Sequence, residues 1–361
     1  VEHGVGGPVS LISCRPGVEV RCRATTGVTT IGRTDADGPR LPLGRYLARD
    51  GSHGGQVALD CARPHAMCLV GKRGSGKSNT LALLAEGLCA NDGVVPVVVD
   101  PMGAFAGLAD LGVAVREPRV SSGAIPPREW PRLVGLAPTE PAGALVWTAA
   151  SECATLAEMR EYVDREGNRH TRRVAANHLA RAASWEMFAP EGICQPTEPT
   201  VLDLAGVSDR AANAVVRAVA TGLYERRLAG EGPLPWLLVD EAHVFLDGVA
   251  APALDTLLTR GRAPGVSLVL ATQRPDALPE TAVSQADLLA THRLTGRADT
   301  ATVAGARGDY VDGPVETRIP AGVGDLLVFD DATERAHSLR VSERATSHGG
   351  TAPTLGTDGY E

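Results

Sequence analysis

The chain has 361 residues, 43% of them hydrophobic, and a formal net charge of −8. That is enough apolar material for one large α/β domain with a small satellite, and it excludes a disordered chain. The acidic balance excludes a generally basic coat for nucleic acid, so any DNA contact must be local. Of the 35 Lys and Arg residues only Lys72 and Lys77 are lysines, and both lie in one glycine-rich stretch.

Residues 1–60 carry short β-type runs, such as Val18–Arg23 and Val28–Gly32, separated by Gly, Pro and Asp turns. They are expected to form a small β module of their own. From there to about residue 340 short apolar runs alternate with helical patterns. Ala66–Val70, Val94–Asp100, Thr200–Leu204, Leu237–Asp240, Val266–Ala271 and Asp325–Phe329 are apolar on both faces, as buried parallel strands are. Leu81, Leu84 and Leu88 mark one helix face, and Ala211, Val215, Val219 and Leu223 mark another. Such alternation predicts an α/β core with a parallel sheet covered by helices over 61–340. Residues 117–143 are rich in Pro and Gly and read as loop. Residues 152–189 read as a helical insertion, and 341–361 as a polar, turn-rich tail.

The seven cysteines include no C-x-x-C pair, so free thiols in a reducing cytoplasm are expected rather than a disulfide frame or a zinc site. No apolar run is long enough to span a bilayer and no signal peptide is recognisable, so a cytoplasmic protein without a membrane segment is expected.

The chemistry concentrates in Gly71-x-x-x-x-Gly76-Lys77-Ser78, a complete Walker A pattern between a strand and a helix. Gly71, Gly74 and Gly76 let the backbone curl, so that the amides around Ser75 and the helix start point at one anion. Lys77 is a compact cation for the β- and γ-phosphates, and a planar guanidinium fits so tight a loop poorly. Ser78 supplies a hydroxyl for Mg²⁺, and Asn79 follows it at the helix start. ATP and Mg²⁺ are the expected cofactors.

Asp240 and Glu241 close the run Leu237–Asp240. Asp240 is expected to hold Mg²⁺, and Glu241 to polarise the attacking water as general base. Gln273, in Ala271-Thr-Gln-Arg-Pro275, ends the next strand, where an amide is placed to sense the γ-phosphate. Arg260 and Arg262 precede that strand; Arg262 is the candidate finger for a neighbouring subunit's site. Met159–Arg181 holds Arg160, Arg165, Arg169, Arg172, Arg173 and Arg181 against Glu161, Asp164 and Glu166. It is the candidate surface for DNA phosphates.

In this order the motifs resemble the HerA/FtsK group of P-loop ATPases, the HerA branch in particular. The stretches that carry the likeness are Gly71–Thr80, Asp240–Phe245, Gly261–Pro275, Ser284-Gln285 and Arg344–Gly350, within about residues 40–350. The resemblance implies a RecA-like core, a homohexamer with ATP in its clefts, double-stranded DNA through the pore, and a nuclease partner. It assigns phosphate and Mg²⁺ to Lys77 and Ser78, catalysis to Glu241, sensing to Gln273 and the finger to Arg262. Two departures stand out. The family often has an acid where Asp100-Pro-Met-Gly is followed by Ala104, and the N-terminal β-barrel is shortened to about 60 residues.

Asp-Glu-Ala-His also names a helicase box, but that class needs a second RecA-like domain, which this length does not hold. A GTPase would need an Asn-Lys-x-Asp motif and an ABC ATPase a Ser-Gly-Gly-Gln-type signature; neither occurs. Two functions stay open. One is an ATP-hydrolysing ring motor that translocates on or unwinds double-stranded DNA. The other is an ATP-dependent oligomeric scaffold for a nuclease or other effector, for instance in antiphage defence, with little translocation.

Overall fold

In the computed structural model, residues 27–34, 38–189, 192, 196–305 and 313–349 are described. In chain order the strands and helices are β1 (Thr29–Ile31), β2 (Arg40–Leu47), β3 (His53–Asp60), β4 (Ala66–Val70), α1 (Lys77–Cys89), β5 (Val94–Asp100) and β6 (Ala114–Arg116). Then come α2 (Trp130–Val134), α3 (Pro141–Glu152), α4 (Leu156–Arg165), α5 (Arg169–Ala183), β7 (Thr200–Asp203), α6 (Asp209–Leu228) and β8 (Leu234–Val239). The chain closes with α7 (Ala251–Arg260), β9 (Ser267–Thr272), α8 (Glu280–Gln285), β10 (Leu288–Thr291), α9 (Arg297–Gly305), β11 (Asp325–Asp330) and β12 (Arg335–Val341).

All twelve strands join one sheet in the order β1-β3-β2-β12-β11-β10-β4-β9-β8-β5-β7-β6. From β10 to β6 every pairing is parallel. This is the predicted RecA-like α/β core. Its strands are apolar on both faces because both are covered. Met67, Leu69, Val98 and Leu238 pack with Leu81, Leu84 and Leu88 of α1 on one face. Cys68, Val70, Val97, Val99 and Leu237 pack with Ala211, Val215, Val219 and Leu223 of α6 on the other.

The expected N-terminal module does not form a sheet of its own among the described residues. β2 pairs antiparallel with β12, and β3 and β1 continue from it, so these strands extend the core sheet. Gly87 of α1 faces Leu41 of β2; a Cβ there would stand 2.6 Å from that of Leu41. The run Val18–Arg23 lies outside the described residues.

The helical insertion is larger than its expected span. Residues 117–143, read as loop, hold α2 and the start of α3, and α3, α4 and α5 follow with short breaks. The breaks are written in the sequence. Thr155 and Glu158 form a reciprocal capping box at the start of α4, and the Asn168 side chain accepts from the His170 and Thr171 amides at the start of α5. Trp130, Val146, Met159, Val163 and Leu179 bury into the same cluster as α6. The Pro and Gly of 117–143 therefore start and stop short helices rather than preventing them.

A buried polar cluster joins the added strands to the parallel core. Arg33 Nη1 lies 3.2 Å from Asp60 Oδ1, and His65 lies 3.5 Å from Asp60 and 2.6 Å from Asp287. Burial alone pushes the His65 pKa down, but its hydrogen bonds to Asp287 and Asp60 outweigh this and raise it to about 9. A folded value above the ordinary 6.5 adds stability that is complete below pH 6.5 and is lost as pH rises through about 9. The stability gap between the wild type and Asp287→Asn is expected to shrink over that range in urea titrations. A gap independent of pH would show that His65 is not charged in the fold.

Candidate functional site

The parallel strands end on one edge, and their C-terminal ends bring together residues far apart in sequence. β4 delivers Gly71, β5 Asp100, β8 Asp240, β9 Thr272 and Gln273, and β10 His292. This edge is where ligands gather in open α/β sheets.

The Walker segment curls as its glycines allow. Gly74 has φ 72° and Gly76 has φ 119°, positive values that residues with side chains disfavour. A Cβ on Gly71 would stand 2.6 Å from Ser75 Oγ and 2.7 Å from His292 Cβ. Ser75 is buried, and its hydroxyl has no hydrogen-bond partner among the described residues. Lys77 Nζ donates to the carbonyls of Gly71 at 2.8 Å and Lys72 at 3.2 Å. Burial lowers its pKa, against the raising effect of Glu241 and Asp240.

Ser78 Oγ lies 3.5 Å from Asp240 Oδ2, so the serine and the acid face one another across the cleft. Burial and the neighbouring Glu241 raise the Asp240 pKa to about 7. A divalent cation between them would relieve that cost, and the oxygen donors suit Mg²⁺. An unpartnered hydroxyl, a glycine cradle and an oxygen pair therefore fit a Mg²⁺-nucleotide.

Glu241 adopts a left-handed backbone, φ 46°, at the strand-to-turn junction. Such strain in a non-glycine residue is kept where the surroundings demand it. Its Oε2 lies 3.3 Å from His243 Nδ1, which is itself 3.3 Å from Thr272 Oγ1. His243 thus spans the acid of β8 and the end of β9. Gln273 is half-buried at the same edge.

Not every expected site residue faces the cradle. Asn79 is engaged elsewhere: its Nδ2 donates to the Ser342 carbonyl and its Oδ1 accepts from the Arg344 amide. It holds the C-terminal segment. Arg262 is exposed at the opposite end of β9. The six residues of β9 span about 20 Å, which puts Arg262 out of reach of its own chain's cleft. Asp100 is committed to its own turn and accepts from the amides of Met102, Ala104 and Phe105.

Two features were missed in the sequence. His292 packs on the Walker glycines, although nothing in its local pattern marks it. Glu86 of α1 accepts from the Ala345 and Thr346 amides and the Thr346 hydroxyl, which straps residues 345–346 along that helix.

Residues 42–140 match the family model described as the central domain of helicase HerA. No curated protein matches the chain. Among solved structures, VirB4 of Thermoanaerobacter pseudethanolicus is similar at TM-score 0.67 and 18% identity, over 86% of this chain and 98% of that one. The plasmid coupling protein TrwB in complex with ADP and Mg²⁺ is similar at TM-score 0.56 and 16% identity, over 88% and 91% of the two chains. The chain thus shares the fold of these two solved structures, and its residues 42–140 are similar to the HerA central domain. The matched span runs past the Walker segment and α2 and stops just before α3. Asp240, Glu241 and Gln273 lie outside the matched span.

Among the described residues no helix is long and apolar enough to cross a membrane. Gly76 offers the sharpest test of the cradle. An alanine there must take up φ 119° with its methyl 3.2 Å from His292 Cε1. Strain of about 1–3 kcal/mol corresponds to roughly a 5- to 150-fold loss of nucleotide affinity. Titration of Gly76→Ala with a fluorescent ATP analogue reads this directly, and wild-type affinity would disprove the cradle.

Proposed function

We propose that this protein is an ATP-hydrolysing ring motor acting on double-stranded DNA. The observation that carries the proposal is the pairing of Glu241 with Asp240 opposite Lys77 and Ser78, with Arg262 on the far edge of the sheet. The first four complete a hydrolytic site except for a second cation, beside Lys77, on the γ-phosphate. Arg262 can supply that cation only to a neighbour, which makes the oligomer part of the chemistry.

In this reading the amides of 71–76 and Lys77 hold the triphosphate. Ser78 and Asp240 hold the metal, which when bound neutralises charge developing on the phosphate oxygens. Glu241 accepts a proton from the attacking water, with His243 3.3 Å from its carboxylate. Gln273 reports the γ-phosphate along β9. Arg262 of one subunit reaches the cleft of the next.

The DNA side rests on α4 and α5. Arg160, Arg165, Arg169, Arg173 and Arg181 are exposed, whereas Arg172 is half-buried and donates to the Asp164 carbonyl. The five exposed arginines are the proposed phosphate contacts, within a chain whose net charge is −8. A hexamer with a nuclease partner, working in the cytoplasm, completes the proposal. The scaffold reading becomes preferred if duplex DNA has no effect.

Glu241→Gln is expected to bind ATP like the wild type while kcat falls about 10²- to 10⁴-fold. Substantial turnover in steady-state assays would remove Glu241 from the role of base. Arg262→Ala is expected to bind nucleotide, fail to hydrolyse it, and poison wild-type rings when mixed in. Simple dilution of activity on mixing would rule out a finger acting in trans. Duplex DNA is expected to stimulate hydrolysis at low salt, with the effect fading as salt rises; no binding at low salt would end the motor reading.

A further inference from the structure

His292 follows β10 directly, and its amide donates to the Val70 carbonyl at the very start of the Walker turn, 2.8 Å away. Its ring is fully buried and bonded at both nitrogens. Nδ1 lies 2.7 Å from the Asp325 carbonyl oxygen, which can only accept, so Nδ1 carries the proton and donates. Nε2 is then the acceptor, and the Thr80 hydroxyl donates to it at 2.9 Å. Thr80 belongs to the first helical turn after Lys77.

The ring also fills the space that two Walker glycines leave. Its Cβ stands 2.7 Å from where a Cβ on Gly71 would be, and its Cε1 3.2 Å from where one on Gly76 would be. The carbonyl it donates to adjoins Gly324, whose amide donates to the Ser75 carbonyl at 3.0 Å. One side chain thus touches both ends of the phosphate loop, the first turn of α1 and the segment entering β11. Burial lowers its pKa to about 4, so the ring stays neutral near pH 7 and adds no charge of its own beside Lys77.

We propose that His292 is a positioning residue for the nucleotide: by accepting from Thr80 it holds residues 71–80 in the shape that cradles the phosphates, and its bond to the Asp325 carbonyl fixes the ring so that Nε2 is the acceptor. The inference rests on the ATP reading above. It predicts a particular kinetic signature. A cradle grips the β-phosphate alike in substrate, transition state and ADP, so a loosened cradle raises KM and Kd and leaves kcat nearly unchanged.

The side-chain nitrogen of asparagine can stand in for Nδ1, and the side-chain oxygen of glutamine for Nε2. His292→Asn therefore keeps the bond to Asp325 and drops Thr80; His292→Gln keeps the bond to Thr80. Thr80→Val removes the hydroxyl with little change of shape. The experiment measures Kd for ADP and ATP by titration, with KM, kcat and thermal melts, for the wild type, these three variants, and the Thr80→Val/His292→Asn double variant.

Thr80→Val and His292→Asn are each expected to weaken both nucleotides by roughly tenfold, with kcat changed by less than about threefold. His292→Gln is expected to restore most of the affinity that His292→Asn loses. The double variant is expected to bind no worse than the weaker single one, because both remove the same contact. Wild-type affinity in folded Thr80→Val, a loss confined to kcat, additive losses in the double variant, or equal losses for Asn and Gln would each overturn the proposal. If His292→Asn fails to fold, Thr80→Val alone decides the matter. A wild-type protein that binds neither nucleotide would overturn the ATP reading itself, and this inference with it.

Discussion

Close approach of backbone to backbone around Gly71 and Gly76 is the constraint on which the site depends. An anion is held by amides only if the chain turns tightly enough to aim several of them at one point. Here a side chain at Gly71 would collide with Ser75 and His292, and one at Gly76 would crowd His292 and Gly324. The phosphate loop is therefore clamped by two other segments rather than standing free. β10 supplies one clamp. β11, which runs back antiparallel beside β10, brings the other through the segment that enters it.

The second organising force is charge burial. Asp240 is almost fully buried beside Glu241, an arrangement that costs free energy until a cation shares the site. A divalent cation bound there would relieve that cost. The left-handed Glu241 and its His243 contact belong to the same device, since they orient one acid while the other faces Ser78. Asp100, at the end of β5, spends its oxygens on its own turn. The alanine at position 104, where the family often has an acid, lends its amide to that turn.

Local patterns gave away most of the core. Two-sided apolar runs became the buried parallel strands, and the spacing of Leu81, Leu84 and Leu88 became the inner face of α1. Patterns misled where membership rather than type was at issue. β2 and β3 look like a separate module because the turns beside them are rich in Gly and Asp, yet hydrogen bonds to β12 make them part of one sheet. The stretch 117–143 looks like loop because its prolines and glycines are read as breakers. In the structure they punctuate short helices whose stability comes from packing on α6.

The Walker residues, the Asp240-Glu241 pair and Gln273 were expected together from sequence because their chemistry constrains residue type and spacing, and the strand ends bring them to one edge of the sheet. Lys77 stood out further, since arginine is otherwise the basic residue throughout and lysine persists in this loop. Asn79 shows the limit of such reasoning: it sits inside the motif, but its amide faces Ser342 and Arg344. His292, Thr80 and Glu86 could not be assigned in advance. Their partners lie some 200 residues or more away along the chain, and only the order in which the strands enter the sheet brings them within bonding distance. Sequence determined which groups can meet a phosphate; the tertiary fold decided which groups hold them still, because contact between distant segments is a property of topology and not of spacing.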